Sequence, residues 1–134
     1  MVEFLLLPAI YMGVIIGIVE LVFVHADEKG LGWLSHGLHA LPTAFIFTFI
    51  AMNLEWAANM ASIALASNFW LDLGLRVVIG LIAAIKVKSA AAIVKGHNSI
   101  GEKMSHALIV GALIAASPYI WDIIEPLMPA WLPL

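Results

Sequence analysis

Four apolar segments, at 4–24, 41–65, 69–87 and 104–124, occupy most of this 134-residue chain. Each is close to the ~20 residues that an α-helix needs to cross a ~30 Å hydrocarbon core. No other feature limits the possible folds as strongly. With 63% hydrophobic and 11% charged residues, and a mean hydropathy of +1.06, too few polar side chains remain to cover the surface of a water-soluble domain. The pattern predicts an all-α integral membrane protein. It consists of a single polytopic domain over 1–134, a four-helix transmembrane bundle with short loops.

The first segment carries Glu3 where a secretory signal would carry basic residues, and its apolar run is longer than the usual signal core. It therefore reads as a retained span. All the lysines, Lys29, Lys86, Lys88, Lys95 and Lys103, fall on the side of the first and third loops, whereas the opposite side holds only Arg76. Cytoplasmic loops carry the Lys and Arg excess, so loops 25–40 and 88–103 are expected in the cytoplasm and both termini outside. The tail, with Trp121, Asp122, Glu125, Trp131 and prolines at 126, 129 and 133, has the composition of an interfacial end that cannot continue a helix.

Glycines in the first loop break the first helix. Trp33, Leu34, Leu38 and Leu41 then fall along one face of a short interfacial helix between spans 1 and 2, with Pro42 at the entry to the second span. Gly96 ends an extension of the third helix beyond the lipid. Pro118 is expected to kink the fourth span, with Ser117 satisfying a carbonyl that the proline leaves free.

A charge in hydrocarbon costs about 2.5–3.5 kcal/mol on the insertion scale and is rarely left facing lipid, so the polar residues inside the spans are the candidate functional positions. Thr48, Glu55, Asn59 and Ser62 recur at offsets of seven, four and three along the second span, which places them on one stripe of a continuous helix. That stripe reads as a pore lining or as a polar docking seam. If the span instead ends near Trp56, residues 57–66 form an interfacial or re-entrant segment. Glu20 follows the Gly13 and Gly17 pair on the same face of the first span, either at a close helix contact or snorkelling to the headgroups. In the third span Asp72 and Arg76 have the favourable i,i+4 order for an ion pair. Arg76 can also reach Glu55, in which case the pair is structural; if Asp72 holds Arg76, Glu55 is left free for proton or cation handling.

The five histidines all lie on the lysine-rich side. His25, His36 and His39 with Asp27 could close a divalent-metal site, but no HExxH or ExxH signature accompanies them, and histidines are ordinary at headgroup level. No cysteine is present, which excludes thiolate chemistry and Cys-based metal sites. No GxSxG turn supports a nucleophilic serine, and no basic stripe supports nucleic-acid binding. No cofactor and no catalytic residue are expected. The leading expectation is an oligomeric channel or transporter-like protein, with homo-oligomers or other membrane subunits as partners. The alternative is a non-catalytic accessory subunit of a larger membrane complex, followed by a holin-like protein and a histidine-based membrane enzyme.

Overall fold

A computed structural model of the chain describes residues 2–27, 33–95 and 103–133. Among these, all regular structure is helical. Helix α1 is Leu6–Asp27, α2 Trp33–Met52, α3 Leu54–Met60, α4 Phe69–Lys95 and α5 Met104–Ile124, and one 3-10 turn follows at Glu125–Leu127. The long helices run antiparallel in chain order. Helices α1 and α2 form one hairpin and α4 and α5 another, while α2 and α5 touch each other and so join the hairpins.

The sides of the bundle have the polarity expected of lipid as solvent. Its core is built from small side chains, among them Ala9, Ala44, Ala83, Ala84 and Ala107, with Met12, Ile16, Val110 and Ile114 between them. Large aliphatics point outward: Ile18 is 52% exposed, Val78 51% and Ile85 61%. Small residues allow the helix backbones to approach closely when lipid supplies no hydrophobic drive for association. The α4–α5 contact shows this most directly, because a Cβ at Gly80 would collide with the carbonyl of Gly111, and one at Gly111 with the carbonyl of Gly80. Ala115 and Ala84 sit beside these positions, the small partners at four-residue spacing. Gly13 and Gly17 face Phe45 and Leu41 of α2, so this pair does form a helix contact.

Two helices, Leu6–Asp27 and Met104–Leu127, are long and apolar enough to cross a membrane, and a third candidate is the pair Ala40–Met52 and Leu54–Met60, bent by 54°. The second segment is thus not one continuous helix over 41–65. It breaks at Asn53, which is a turn residue with φ −104° and ψ 15°. Helix α4 is 27 residues long, but Asp72, Arg76, Lys86 and Lys88 dilute its apolar character.

Two further expectations are corrected. Residues 33–41 do not form a separate interfacial helix; they are the first turns of α2, and Pro42 lies inside that helix. Trp121 is not an interfacial anchor but is 2% exposed and stacked on Tyr11, with ring centroids 6.1 Å apart. Pro118 does lie inside α5, and the Ser117 hydroxyl donates to the Ile114 carbonyl at 2.8 Å, the carbonyl that an amide at 118 would otherwise take.

Candidate functional site

The polar residues concentrate where α2 breaks. A broken helix leaves carbonyls without intrahelical partners, and side chains from neighbouring elements meet them here. Asn53 binds the extended N-terminal segment through both of its amide atoms: the Leu5 amide donates to Asn53 Oδ1 at 2.8 Å, and Asn53 Nδ2 donates to the Leu5 carbonyl at 3.4 Å. Nδ2 also donates to the Phe49 carbonyl at 3.0 Å. The Phe4 ring packs against Phe49 and Trp56, on the two sides of the break. Asparagine competes with helix hydrogen bonding for this reason: its short amide reaches backbone groups.

Arg76 of α4 occupies the centre. Its Nη1 donates to the Ala51 carbonyl, its Nε donates to Asp72 Oδ2 at 2.7 Å, and its Nη2 lies 3.6 Å from Glu55 Oε1. Tyr119 of α5 donates its hydroxyl to the same Asp72 oxygen at 2.7 Å, and its ring lies 5.6 Å from the Arg76 guanidinium carbon, within cation–π range. The Arg76 side chain is 3% exposed and that of Asp72 8%, whereas Glu55 is 39% exposed. The planar guanidinium fork suits this task because it presents several donors in fixed directions. The two ion pairs posed as alternatives in the sequence coexist on one arginine. The Asp72 Oδ1 atom is buried without a hydrogen-bond partner among the described residues.

The expected stripe is not one face. Thr48 is fully buried and donates its hydroxyl to the Ala44 carbonyl one turn back at 2.8 Å. Glu55 follows the bend. Asn59 is exposed, and Ser62 has φ 59° at the end of α3. The Ile63 amide bonds the Ala58 carbonyl at 2.8 Å and the Ser62 amide the Asn59 carbonyl at 3.0 Å, the paired bonds of a Schellman cap with Ser62 in its left-handed position. Ser62 therefore terminates a helix. The offsets of seven, four and three assume an unbroken helix, and the turn at Asn53 removes that assumption. Asn68 then starts α4, its Oδ1 accepting the Leu71 amide at 3.1 Å.

At the other end of the bundle, Asp27 closes α1 against the start of α5. Its Oδ2 meets His106 Nδ1 at 2.6 Å and accepts the Lys103 amide at 3.0 Å, and Lys103 Nζ lies 3.1 Å from Oδ1. The Phe23 ring stacks on His106 with centroids 4.4 Å apart. Asp27 is thus engaged by α5. The side chains of His36 and His39 lie outside the described residues, and among the described residues no three His, Cys, Asp or Glu side chains group as a metal site. Glu20 is 1% exposed in α1.

Sequence reading missed Tyr119, the role of the Ala51 carbonyl and the Asp27–His106 pair. The signal available for Tyr119 was a phenol inside an apolar helix, which needs a hydrogen-bond partner when buried. No protein-family model, curated protein or solved structure matches this chain.

Proposed function

We propose that the chain is a four-span integral membrane protein, with α2 and α3 as one broken span and α4 as the fourth, and that it serves as a non-catalytic structural subunit of a membrane assembly. Arg76 carries this reading: it holds the Ala51 carbonyl, Asp72 and Glu55 at once, so it ties the break to α4 and engages Glu55, the carboxylate that would otherwise be free to handle protons or cations. Irregular backbone at membrane depth is tolerated where protein buries it, and Arg76 and Asn53 supply that cover. The cytoplasmic placement of loops 25–40 and 88–103 is part of the proposal. Impermeant labelling of cysteines introduced at Glu3 and Glu125 tests it in whole cells, and protection of both sites would reverse the orientation.

The channel or transporter reading keeps one favourable observation, the 39% exposure of Glu55. Flux assays in liposomes separate the two readings. A structural subunit gives proton and cation flux equal to that of protein-free liposomes. A flux that Glu55→Gln abolishes, with the fold intact, would establish a conducting path instead.

A further inference from the structure

The connections at the two ends of the bundle differ in chemistry. Residues 25–32 read HADEKGLG and residues 95–103 read KGHNSIGEK, both charged and rich in glycine. The connection at the break end reads WAANMASIALASNFWL over 56–71 and contains no Asp, Glu, Lys, Arg or His. A connection that runs through water normally carries polar and turn-forming residues. This one has turn-forming residues in Asn59, Ser62, Ser67 and Asn68 but no charge, and apart from the buried Leu65 it exposes large apolar side chains: Met60 72%, Ile63 49%, Phe69 59% and Trp70 77%. Leu127 and Trp131, at the end of the fourth span and in the tail, are each 79% exposed. These six side chains come from the α3 region, the start of α4 and the C-terminal segment, and all sit at one end of the bundle.

From these observations we infer that this rim is seated in the acyl–headgroup boundary of the lipid leaflet, with α3 and residues 61–68 lying in that boundary and not in water. The inference rests on the membrane-spanning reading above. Position along the helices agrees with it. Trp70 precedes Lys86 by 16 residues, which is about 24 Å of helix. With Lys86 at the opposite headgroups, Trp70 falls near the far edge of a ~30 Å core. Tryptophan favours that level because its ring is apolar and its indole N–H is polar. The partner chemistry is set by the absence of charge from 56–71 together with continuity: the rim adjoins the outward aliphatic face of α5, where Ile123 is 71% exposed, and the exposed carboxylates Asp122 and Glu125 beside it suit the headgroup level of that boundary. As a consequence, the Arg76 cluster, one to two turns inside Trp70, lies below the lipid surface.

The test is depth-resolved fluorescence quenching of the full chain in vesicles of lipids brominated at defined acyl positions. One form keeps only Trp70 (Trp33→Phe, Trp56→Phe, Trp121→Phe, Trp131→Phe), and a second keeps only Trp131. A third carries Ile15→Trp in a background without native tryptophan and reports the middle of the first span. The inference predicts strong quenching of Trp70 and Trp131 by bromines near the headgroups, several-fold weaker quenching by bromines near the chain ends, and little quenching by aqueous iodide. Strong iodide quenching would place the rim in water. Protection from both quenchers would show a protein partner on it, and either result overturns the inference. The Ile15→Trp form separates these failures from failure of the membrane reading itself, because it must be quenched by the deep bromines if α1 crosses the bilayer. Nitroxides on Met60→Cys and Ile63→Cys, which leave every tryptophan in place, give the same depth in a second way: oxygen accessibility should exceed that of a water-soluble nickel chelate, and the reverse order contradicts the inference.

Discussion

The two ends of the bundle are fastened by opposite devices. At the break end one buried cation, Arg76, gathers three acceptors from α2, α3 and α4. At the loop end one buried anion, Asp27, gathers the Lys103 amide, the Lys103 ammonium and His106. The central groups are equally hidden, at 3% side-chain exposure each. Their partners are not. Asp72 is 8% exposed, whereas Lys103 is 67% and His106 23% exposed. Removing Asp27 leaves a Lys103 ammonium that already reaches water, while removing Arg76 leaves a buried Asp72 carboxylate and a carbonyl that cannot turn to it. The cost of breaking an ion pair depends on what is stranded, so the break end should be the more sensitive of the two.

The largest expected effect is therefore Arg76→Gln, which strands Asp72 beside a free Ala51 carbonyl. A loss of about 3–5 kcal/mol is the usual result of removing one partner from a buried pair, and denaturant unfolding in detergent micelles measures it. Asn53→Ala comes next. It removes the hydrogen bonds that tie Leu5 and Phe49 to the break, at about 1–3 kcal/mol for polar groups left unsatisfied. The N-terminal segment should then become more accessible to proteolysis than in the unmodified chain.

How far the sequence alone disclosed this arrangement depends on the kind of signal. Long apolar runs are set by bilayer thickness, so the fourth segment, expected at 104–124, appears as Met104–Ile124. The third helix was expected to run on until Gly96, and α4 extends to Lys95. The Ser117 hydroxyl was foreseeable because a proline frees one known carbonyl. For the second segment an end near Trp56 was the alternative to a continuous helix, but a break at Asn53 was not foreseeable, since nothing local forbids a helix from 41 to 65. It depends on Leu5 and on Arg76, 48 and 23 residues away. The stripe of Thr48, Glu55, Asn59 and Ser62 failed as a single face for the same reason, because periodicity describes a helix only while the helix continues. Asp72, Arg76 and Glu55 were recognisable as a charge cluster, but Tyr119 required the packing of α5 against α4.

At the loop end, Asp27→Asn keeps an acceptor for the Lys103 amide and loses only the charge. A cost of about 1–2 kcal/mol is expected for weakened charge-assisted bonds. A cost equal to that of Arg76→Gln would erase the contrast between the ends. The smallest effect belongs to Glu55→Gln. Its carboxylate is 39% exposed and 3.6 Å from Arg76, so a change below about 1 kcal/mol is expected, as for other solvent-screened pairs. A larger loss would place Glu55 among the structural anchors of the break.

The central claim is that Arg76 and Asp72 act as one buried clamp on the break between α2 and α3. A double-mutant cycle of Arg76→Gln, Asp72→Asn and the combined form, read as unfolding free energies in one detergent, isolates their coupling. The account predicts a coupling of about 2 kcal/mol or more, with the double variant more stable than Arg76→Gln alone. Additivity within about 0.5 kcal/mol would contradict it and leave the break held by Asn53 and packing alone.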